Sequence, residues 1–437
     1  MASAYLSRTF GTPTNASKFT YSGWIKRSGL GGNQVLLYAN GGNSQNFSNI
    51  MFNSGNNFFW HILHSNSEVS KLRTNAALRD TNAWYHLVFQ YDSTQATANN
   101  RTKMYINGVE VTSYGTQTNS GQNSNYHMNT AVEHFIGAEK GNTGGSVGSY
   151  FDGEMAHVHF VDGTIYAPST FGETDATTGE WKPKTDPGIS QANYGNNGFF
   201  LKFDNSANMG LDSSGNSNNW TTSGTILQYK DTPSNNMPQL NVNDKYAAAI
   251  SNAGQTVTNE NNNQTGVMST MAVATGKWYW EAKVKDTASD TFNVGMRKTG
   301  LKNYAVANWS YSANAFVYAV NGYIYKDGNQ STNTGTSAAV GDIIGFIVDM
   351  DAGTVKLQKN GSDIYSGNAV VTGLNTGDFW HVVQGASQAA VDFNFGNGYF
   401  GTTAITSAGS NGNGLLFEYD VPSGHYGIST KNISGNS

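Results

Sequence analysis

The sequence predicts an all-β protein made of two antiparallel β-sandwich domains in tandem. Three observations carry that expectation. At 437 residues the chain is long enough to bury two cores of ordinary size. Charged residues make up only 13% while glycine numbers 51, and asparagine, serine and threonine crowd the stretches between apolar runs, a turn-rich β composition. The apolar residues themselves recur in short alternating or buried runs of strand length, and no long segment keeps a helical period with a cap.

The same composition excludes several classes. Aromatic residues at 12% argue against disorder, because the polarity here comes from amides and hydroxyls rather than charge or proline. Cysteine is absent, which rules out thiol catalysis, cysteine–zinc sites and a disulfide scaffold. A net charge of -5 with no Lys/Arg cluster leaves no electrostatic footprint for nucleic acid or anionic lipid. The opening MASAYLSRTF lacks a basic region followed by an apolar run, and no stretch approaches the ~20 apolar residues of a membrane span. The chain therefore reads as neither Sec-exported nor membrane-inserted.

Along the chain, strand signals fall at 19–25, 34–39, 58–63, 84–91, 103–106, 151–160 and 199–203, each bounded by Gly, Asn, Asp or Ser. The Asn-Gly pairs 107–108, 321–322 and 360–361 lie between alternating apolar residues and read as hairpin turns. The stretch 164–198 holds Pro168, Pro183 and Pro187, has no clear period and includes GETDATTGEWKPKTDPG, which predicts a long surface loop inside domain one. A linker is expected at 229–240, in the proline-bearing DTPSNNMPQLN region. A second run of strand signals then occupies 266–274, 278–285, 291–296, 316–320, 323–326, 343–349, 354–359, 380–384 and 391–395, giving a second sandwich over 241–422 and a C-terminal tail over 423–437. The likeliest turn of helix lies near 76–82.

Three stretches of the first domain, FTYSGWIKR at 19–27, NAWYHLVFQYD with RTKMYINGVEVT at 82–112, and HFIGAEKGN with YFDGEMAHVHFVDG at 134–163, resemble the laminin-G/concanavalin A-like lectin superfamily over about residues 3–228. The second domain resembles a SPRY domain through GKWYWEAKV at 276–284, GDIIGFIVDMDAGTVKLQKNG at 341–361 and VDFNFGNGYF at 391–400. Within the first of these motifs, strand alternation puts Tyr279 and Glu281 on the face opposite Trp278, Trp280 and Ala282. A laminin-G-like module joined to a SPRY module, both Asn/Gly/Ser-rich and cysteine-free, is similar to virion structural proteins of marine and cyanobacterial bacteriophages.

Candidate chemistry is sparse. A glycosidase needs two carboxylates flanking the scissile bond. The nearest local match, Glu173, Asp175 and Glu180, has the spacing and Thr/Gly content of a solvated loop. Asp204 and Asp212 lie in an oxygen-rich segment that could hold Ca²⁺ or simply cap its own turns, so any metal remains open. His157 with His159, and His61 with His64, have the spacing of paired ligands, but no third ligand is visible and ordinary strand histidines are favoured. The aromatic cluster YAVANWSYSANAFVYAV at 304–320 begins as a loop and becomes a strand. Tyr304, Trp309 and Tyr311 in its loop part are the candidate ligand-binding residues, with burial of Trp309 in the core as the competing reading.

The function expected from these readings is that of a non-enzymatic, cofactor-free bacteriophage virion protein, a tail-fibre or surface-fibre component on the virion surface. It would bind host surface glycans or receptors, or neighbouring virion proteins, as a homo-oligomer with a trimer favoured. Two rivals stand beside it: a polysaccharide depolymerase or glycosidase on a concanavalin-like fold, and a purely structural capsid decoration or adaptor protein.

Overall fold

The computed structural model describes residues 3–141, 145–259, 264–287, 293–300, 314–374, 376–387 and 389–436. It divides into two units, Met1–Gln228 and Tyr229–Ser437. Strands dominate both, in antiparallel sheets that face one another across an apolar core.

The first unit opens with Tyr5–Thr9 (β1), Lys18–Arg27 (β2), Gln34–Asn43 (β3), Asn46–Phe52 (β4), Asn57–His64 (β5) and Ser67–Ala77 (β6). Trp84–Asp92 (β7), Thr102–Ile106 (β8), Val109–Glu110 (β9), Tyr114–Thr118 (β10) and Glu133–Ile136 (β11) follow. Glu139–Lys140 (β12), Val147–Gly148 (β13), Gly153–Asp162 (β14), Gly172–Thr174 (β15), Trp181–Pro183 (β16), the short helix Gln191–Tyr194 (α1), Phe199–Leu201 (β17) and Thr221–Ser223 (β18) complete it. An eight-stranded sheet in the order β10-β6-β5-β4-β3-β11-β1-β18 packs on a six-stranded sheet in the order β17-β14-β2-β7-β8-β9. Alternate residues meet between them, Phe19, Tyr21 and Ile25 of β2 and Leu87 and Phe89 of β7 against Ile50, Phe58 and Trp60. The Asn107-Gly108 turn has positive φ at both residues, the hairpin geometry the pair favours.

Every residue of β7 is buried, so its second face must be covered as well. The cover is the proline-bearing stretch expected to be a bare loop. It carries the β15–β16 hairpin and α1, and its Phe171 and Tyr194 pack on Val88, Val161 and Phe200 of the sheet. The helix expected near 76–82 is absent: the strand β6 runs to Ala77, and Leu78 donates its N–H to the Asn56 carbonyl at 2.8 Å. Its own carbonyl accepts from Arg27 Nη1 at 2.8 Å. Tertiary partners have taken the backbone groups a helix would need.

The second unit begins with Leu240–Tyr246 (β19), Ala248–Ser251 (β20), Thr256–Asn259 (β21), Gln264–Val273 (β22), Lys277–Thr287 (β23) and Asn293–Lys298 (β24). Ala315–Ala319 (β25), Tyr323–Lys326 (β26), Asn329–Asn333 (β27), Ile343–Asp349 (β28), Thr354–Lys359 (β29) and Ser362–Asp363 (β30) come next. Trp380–Ser387 (β31), Ala389–Asn394 (β32), Tyr399–Phe400 (β33), Thr403–Ala404 (β34), Tyr426–Gly427 (β35) and the helix Thr430–Asn436 (α2) close the chain. A seven-stranded sheet, β19-β22-β31-β24-β25-β26-β27, faces a second sheet ordered β20-β21-β32-β23-β28-β29-β30. The alternation read in β23 holds: Trp280 stacks on Phe346 with centroids 3.7 Å apart, and Tyr279 donates to Glu281 at 3.1 Å. Asn360-Gly361 has the expected two positive φ angles, whereas at 321–322 only Gly322 does, closing a turn back to Ala319.

The stretches read as a linker, 229–240, and a C-terminal tail, 423–437, both pack against the second unit. In the 229–240 stretch Met237 is in the second core and Tyr229 lies against Tyr399. In the 423–437 stretch β35 pairs in parallel with Trp278 and Tyr279, and Ile428 is buried. The ends are clasped, since Asn236 N–H donates to Thr430 Oγ1 and Thr430 N–H to the Asn236 carbonyl. Sequence pattern misses this because the contacts join residues nearly 200 positions apart.

Candidate functional site

The outward face of the eight-stranded sheet carries a continuous row of aromatic rings. It runs across five neighbouring strands because each supplies the residues that alternate with its core positions. From Tyr5 the row passes to Phe135 at 5.7 Å, Tyr38 at 6.1 Å, Phe47 at 5.9 Å, His61 at 5.2 Å and Phe59 at 5.6 Å. One end is closed over, where Tyr38 donates to the Lys140 carbonyl at 2.8 Å and Val147 packs nearby. The other end is open: Phe47 and His61 are half-buried. There Glu68 accepts from Lys71 at 2.5 Å and lies 3.2 Å from His61 Nε2. Half-buried rings such as Phe47 and His61, backed by the buried Tyr38, Phe59 and Phe135 and set beside a polar network, can stack a sugar ring or a partner side chain at low entropic cost. Sequence reasoning missed it, although the signal was present in β4 and β5, which have aromatic or apolar residues on both faces.

The outer face of the six-stranded sheet holds a different constellation. Ser22 Oγ and His86 Nε2 are 2.8 Å apart and buried, a pairing that invites a nucleophile–base reading. The hydrogen bonds refuse it. Trp181 Nε1–H can only donate, and it reaches His86 Nδ1 at 2.9 Å. Nδ1 is therefore the acceptor, the neutral ring carries its proton on Nε2, and that proton points at Ser22. The histidine cannot take the serine proton. Burial also pushes His86 down to about 3, so the ring stays neutral. His159 beside it contacts the Tyr194 hydroxyl at 2.9 Å and stacks on Phe200. His157, at positive φ in a bulge after Ala156, also lies against Phe200, with ring centroids 5.8 Å apart.

The remaining candidates resolve into turn chemistry. Asp175 accepts from the N–H groups of Thr177 and Thr178 and pairs with Lys182 at 2.8 Å, while Glu173 sits opposite Lys182 in the hairpin and Glu180 is exposed. Asp212 accepts from the N–H groups of Phe200, Ser214 and Asn218 and from Ser214 Oγ, filling its acceptor positions within its own turn, while Asp204 is exposed. His64 contacts His127 at 3.4 Å, whereas His61 on the same strand lies 3.2 Å from Glu68. Among the described residues no three metal-ligating side chains converge, and no helix is long and apolar enough to cross a membrane.

In the second unit, Tyr304, Trp309 and Tyr311 lie outside the described residues. The described residues flanking that stretch are fixed, since Thr299 donates its N–H and Oγ1 to the Phe379 carbonyl and Lys298 pairs with Asp378 at 2.7 Å. Phe379 itself is 60% exposed. The deepest charge of this unit is Glu281, which sequence alternation placed but whose partners it could not name. Its carboxylate accepts from Tyr279, from Asn394 Nδ2 at 3.0 Å and from the N–H groups of Glu418 and Tyr419, both at 2.9 Å. Burial nonetheless pushes it up to about 7. This is an anchor for the 415–420 stretch, not an exposed acid.

Comparison with known proteins agrees with the two sandwiches. Residues 2–169 match a family model described as the concanavalin A-like lectin/glucanases superfamily, and residues 277–398 match the SPRY domain. The chain thus carries a concanavalin-like domain followed by a SPRY domain. Among solved structures it is similar to the SPRY domain of human HERC1, at 18% identity over 35% of this chain and 96% of that one with a TM-score of 0.30. It is also similar to another human SPRY domain, at 14% identity over 34% of this chain and 95% of that one with a TM-score of 0.28. A third is the heptameric SAP-like pentraxin of Limulus polyphemus, at 16% identity over 38% of this chain and 72% of that one with a TM-score of 0.29. No curated protein matches the chain.

Proposed function

We propose that this protein is a binding component of a bacteriophage virion, carried on a tail or surface fibre, and that the aromatic row of the first unit is its glycan-binding face. The row is the observation that carries the reading. Phe135, Tyr38 and Phe59 are buried and back the row, while the half-buried Phe47 and His61 at its open end offer ring surface for the C–H side of a pyranose. The tandem of cysteine-free, Asn/Gly/Ser-rich sandwiches supports the virion setting by its resemblance to phage structural proteins. Homo-oligomerisation, with a trimer favoured, would multiply weak single-face contacts into firm attachment. The reading is one of binding without turnover, and among the described residues the Ser22–His86 pair, held with Nδ1 accepting from Trp181, offers no nucleophile–base couple.

Purified chain is expected to adsorb to host cells or their surface polysaccharide, and Phe47→Ala to lower that attachment about tenfold with an unchanged melting temperature. Undiminished adsorption by the folded variant would move the site off the row. Sustained release of reducing ends from the polysaccharide would replace binding by depolymerisation. For the second unit, Phe379→Ala tests the one strongly exposed aromatic ring described there beside the 301–313 stretch. The trio Tyr304, Trp309 and Tyr311 rests on the sequence argument alone.

A further inference from the structure

Two histidines distant in sequence stand together at the rim of the eight-stranded sheet. His64 ends β5, and His127 comes from the 119–132 stretch between β10 and β11. His64 Nδ1 and His127 Nε2 face one another at 3.4 Å, and the contact is exposed to solvent. That distance is beyond the ~2.7–3.2 Å usual for an N–H donor and its acceptor. It matches the span of two nitrogens around one tetrahedral ion, about 3.3–3.4 Å for metal–nitrogen bonds of about 2.0–2.1 Å. The β3–β4 hairpin holds both rings. His127 lies against Gly41, where an added Cβ would come within 2.5 Å of its Nδ1, and Thr130 Oγ1 donates to the His127 carbonyl at 2.7 Å. His127 also bonds the Leu63 carbonyl, the kind of outer contact that fixes a ligand's tautomer. His64 precedes Ser65, whose N–H donates to Asn46 Oδ1 at 2.9 Å. Burial, and then His64 itself, hold His127 below its ordinary range, so the ring is neutral and able to ligate at pH 7.

We infer that this pair binds one first-row transition-metal ion, Zn²⁺, Ni²⁺ or Cu²⁺, through His64 Nδ1 and His127 Nε2, with water in the remaining positions. Imidazole nitrogens suit these ions, whereas Ca²⁺ and Mg²⁺ require oxygen ligands. Two protein ligands make the ion exchangeable, in contrast to the closed four-ligand sites of structural zinc. Once bound, it clips the 119–132 stretch to the end of β5, one position beyond Leu63, the register partner of Phe47. The clip therefore sits at the rim of the open end of the ring row and needs no sugar to form.

The test titrates the untagged, chelator-stripped full chain with Zn²⁺, Ni²⁺, Cu²⁺ and Ca²⁺ by calorimetry in a non-coordinating buffer, and follows the histidine rings by ¹H–¹⁵N NMR as Zn²⁺ is added. Wild type is expected to take one equivalent of each transition ion, Cu²⁺ most tightly, and no Ca²⁺. The ring resonances of His64 and His127 are expected to shift together, and binding to be weaker at pH 5 than at pH 7, because both ligands must be deprotonated. Excess Zn²⁺ is expected to raise the melting temperature of the first unit. His64→Ala and His127→Gln are each expected to lose about 100-fold in affinity, the upper end of what even an outer partner of a ligand contributes. His64 is exposed, so its replacement leaves the fold intact, and wild-type affinity in His64→Ala overturns the inference. Absence of a bound equivalent in wild type also overturns it, the pair then being a hydrogen bond alone, and so does equal affinity for Ca²⁺.

Discussion

Glu281 illustrates how one residue can be legible in kind and illegible in role. Period-two alternation puts it on one face with Tyr279, but only the fold brings the N–H groups of Glu418 and Tyr419 and the Asn394 amide to its oxygens. Because its folded value is raised to about 7 above an unfolded value near 4.5, the folded state holds the extra proton between those limits. The stability this adds is present in full below pH of about 4.5 and is lost as pH rises through about 7, roughly 3 kcal/mol in all. Glu281→Gln is therefore expected to remove that part of the pH dependence of the second unit's unfolding, measured as the wild-type-minus-variant difference by denaturant titration at pH 5 and pH 8. An identical difference at both pH values would refute the account. Glu281→Ala, which orphans four donors, is expected to lower stability by about 3 kcal/mol or more at either pH.

At the scale of elements, the β15–β16 hairpin is held down by Trp181. Its indole lies against Gly108 and Gly172, where any added Cβ would come within 3.0 Å and 2.6 Å of the ring, and its N–H reaches His86. Trp181→Phe keeps an aromatic ring of smaller size and deletes the donor, leaving His86 Nδ1 without its partner. The expected outcome is a loss of about 1–2 kcal/mol from the first unit and faster proteolysis between 173 and 190. Cleavage no faster than in wild type would mean that the hydrogen bond does not hold the hairpin. The expected loop at 164–198 had the right punctuation, but proline and glycine report where the chain turns, not whether its aromatic residues then find a sheet to cover. The expected helix at 76–82 failed for a related reason, the capture of Leu78 by Asn56 and Arg27.

For the whole molecule, the buried histidines of the first unit determine its response to acid. Burial lowers His86 and His134 to about 3 and His159 well below its ordinary range. Each folded value lies below the unfolded one near 6.5, so the unfolded chain binds the protons and the stability is lost as pH falls from about 6.5 towards 3. His61, His127 and His157 are lowered by burial as well, and Asp152, raised by burial, opposes the six of them alone among the described carboxylates of this unit. The first unit's calorimetric transition is thus expected to fall steadily between pH 7 and pH 4, and replacing His134, stacked on Phe10 at 3.7 Å, by phenylalanine to flatten that fall. A transition independent of pH in this window would contradict it. Limited proteolysis at pH 7 is expected to cut between 173 and 190 before 229–240, because the latter is packed into the second core through Met237.

The sequence by itself determined the fold class, the two sandwiches and most strand positions, because period-two alternation, Asn-Gly turns and the aromatic content of β2, β7 and β23 are local signals read within about ten residues. It also determined that Tyr279 and Glu281 share a face. Only the tertiary structure decided what the outward faces do. The ring row unites β1, β11, β3, β4 and β5, Asn49 faces His61 only through the register of β4 and β5, and the tautomer of His86 is set by a tryptophan 95 positions away. Registers and side-chain partners between distant strands are chosen by packing and hydrogen-bond satisfaction over the whole domain. No local period encodes them.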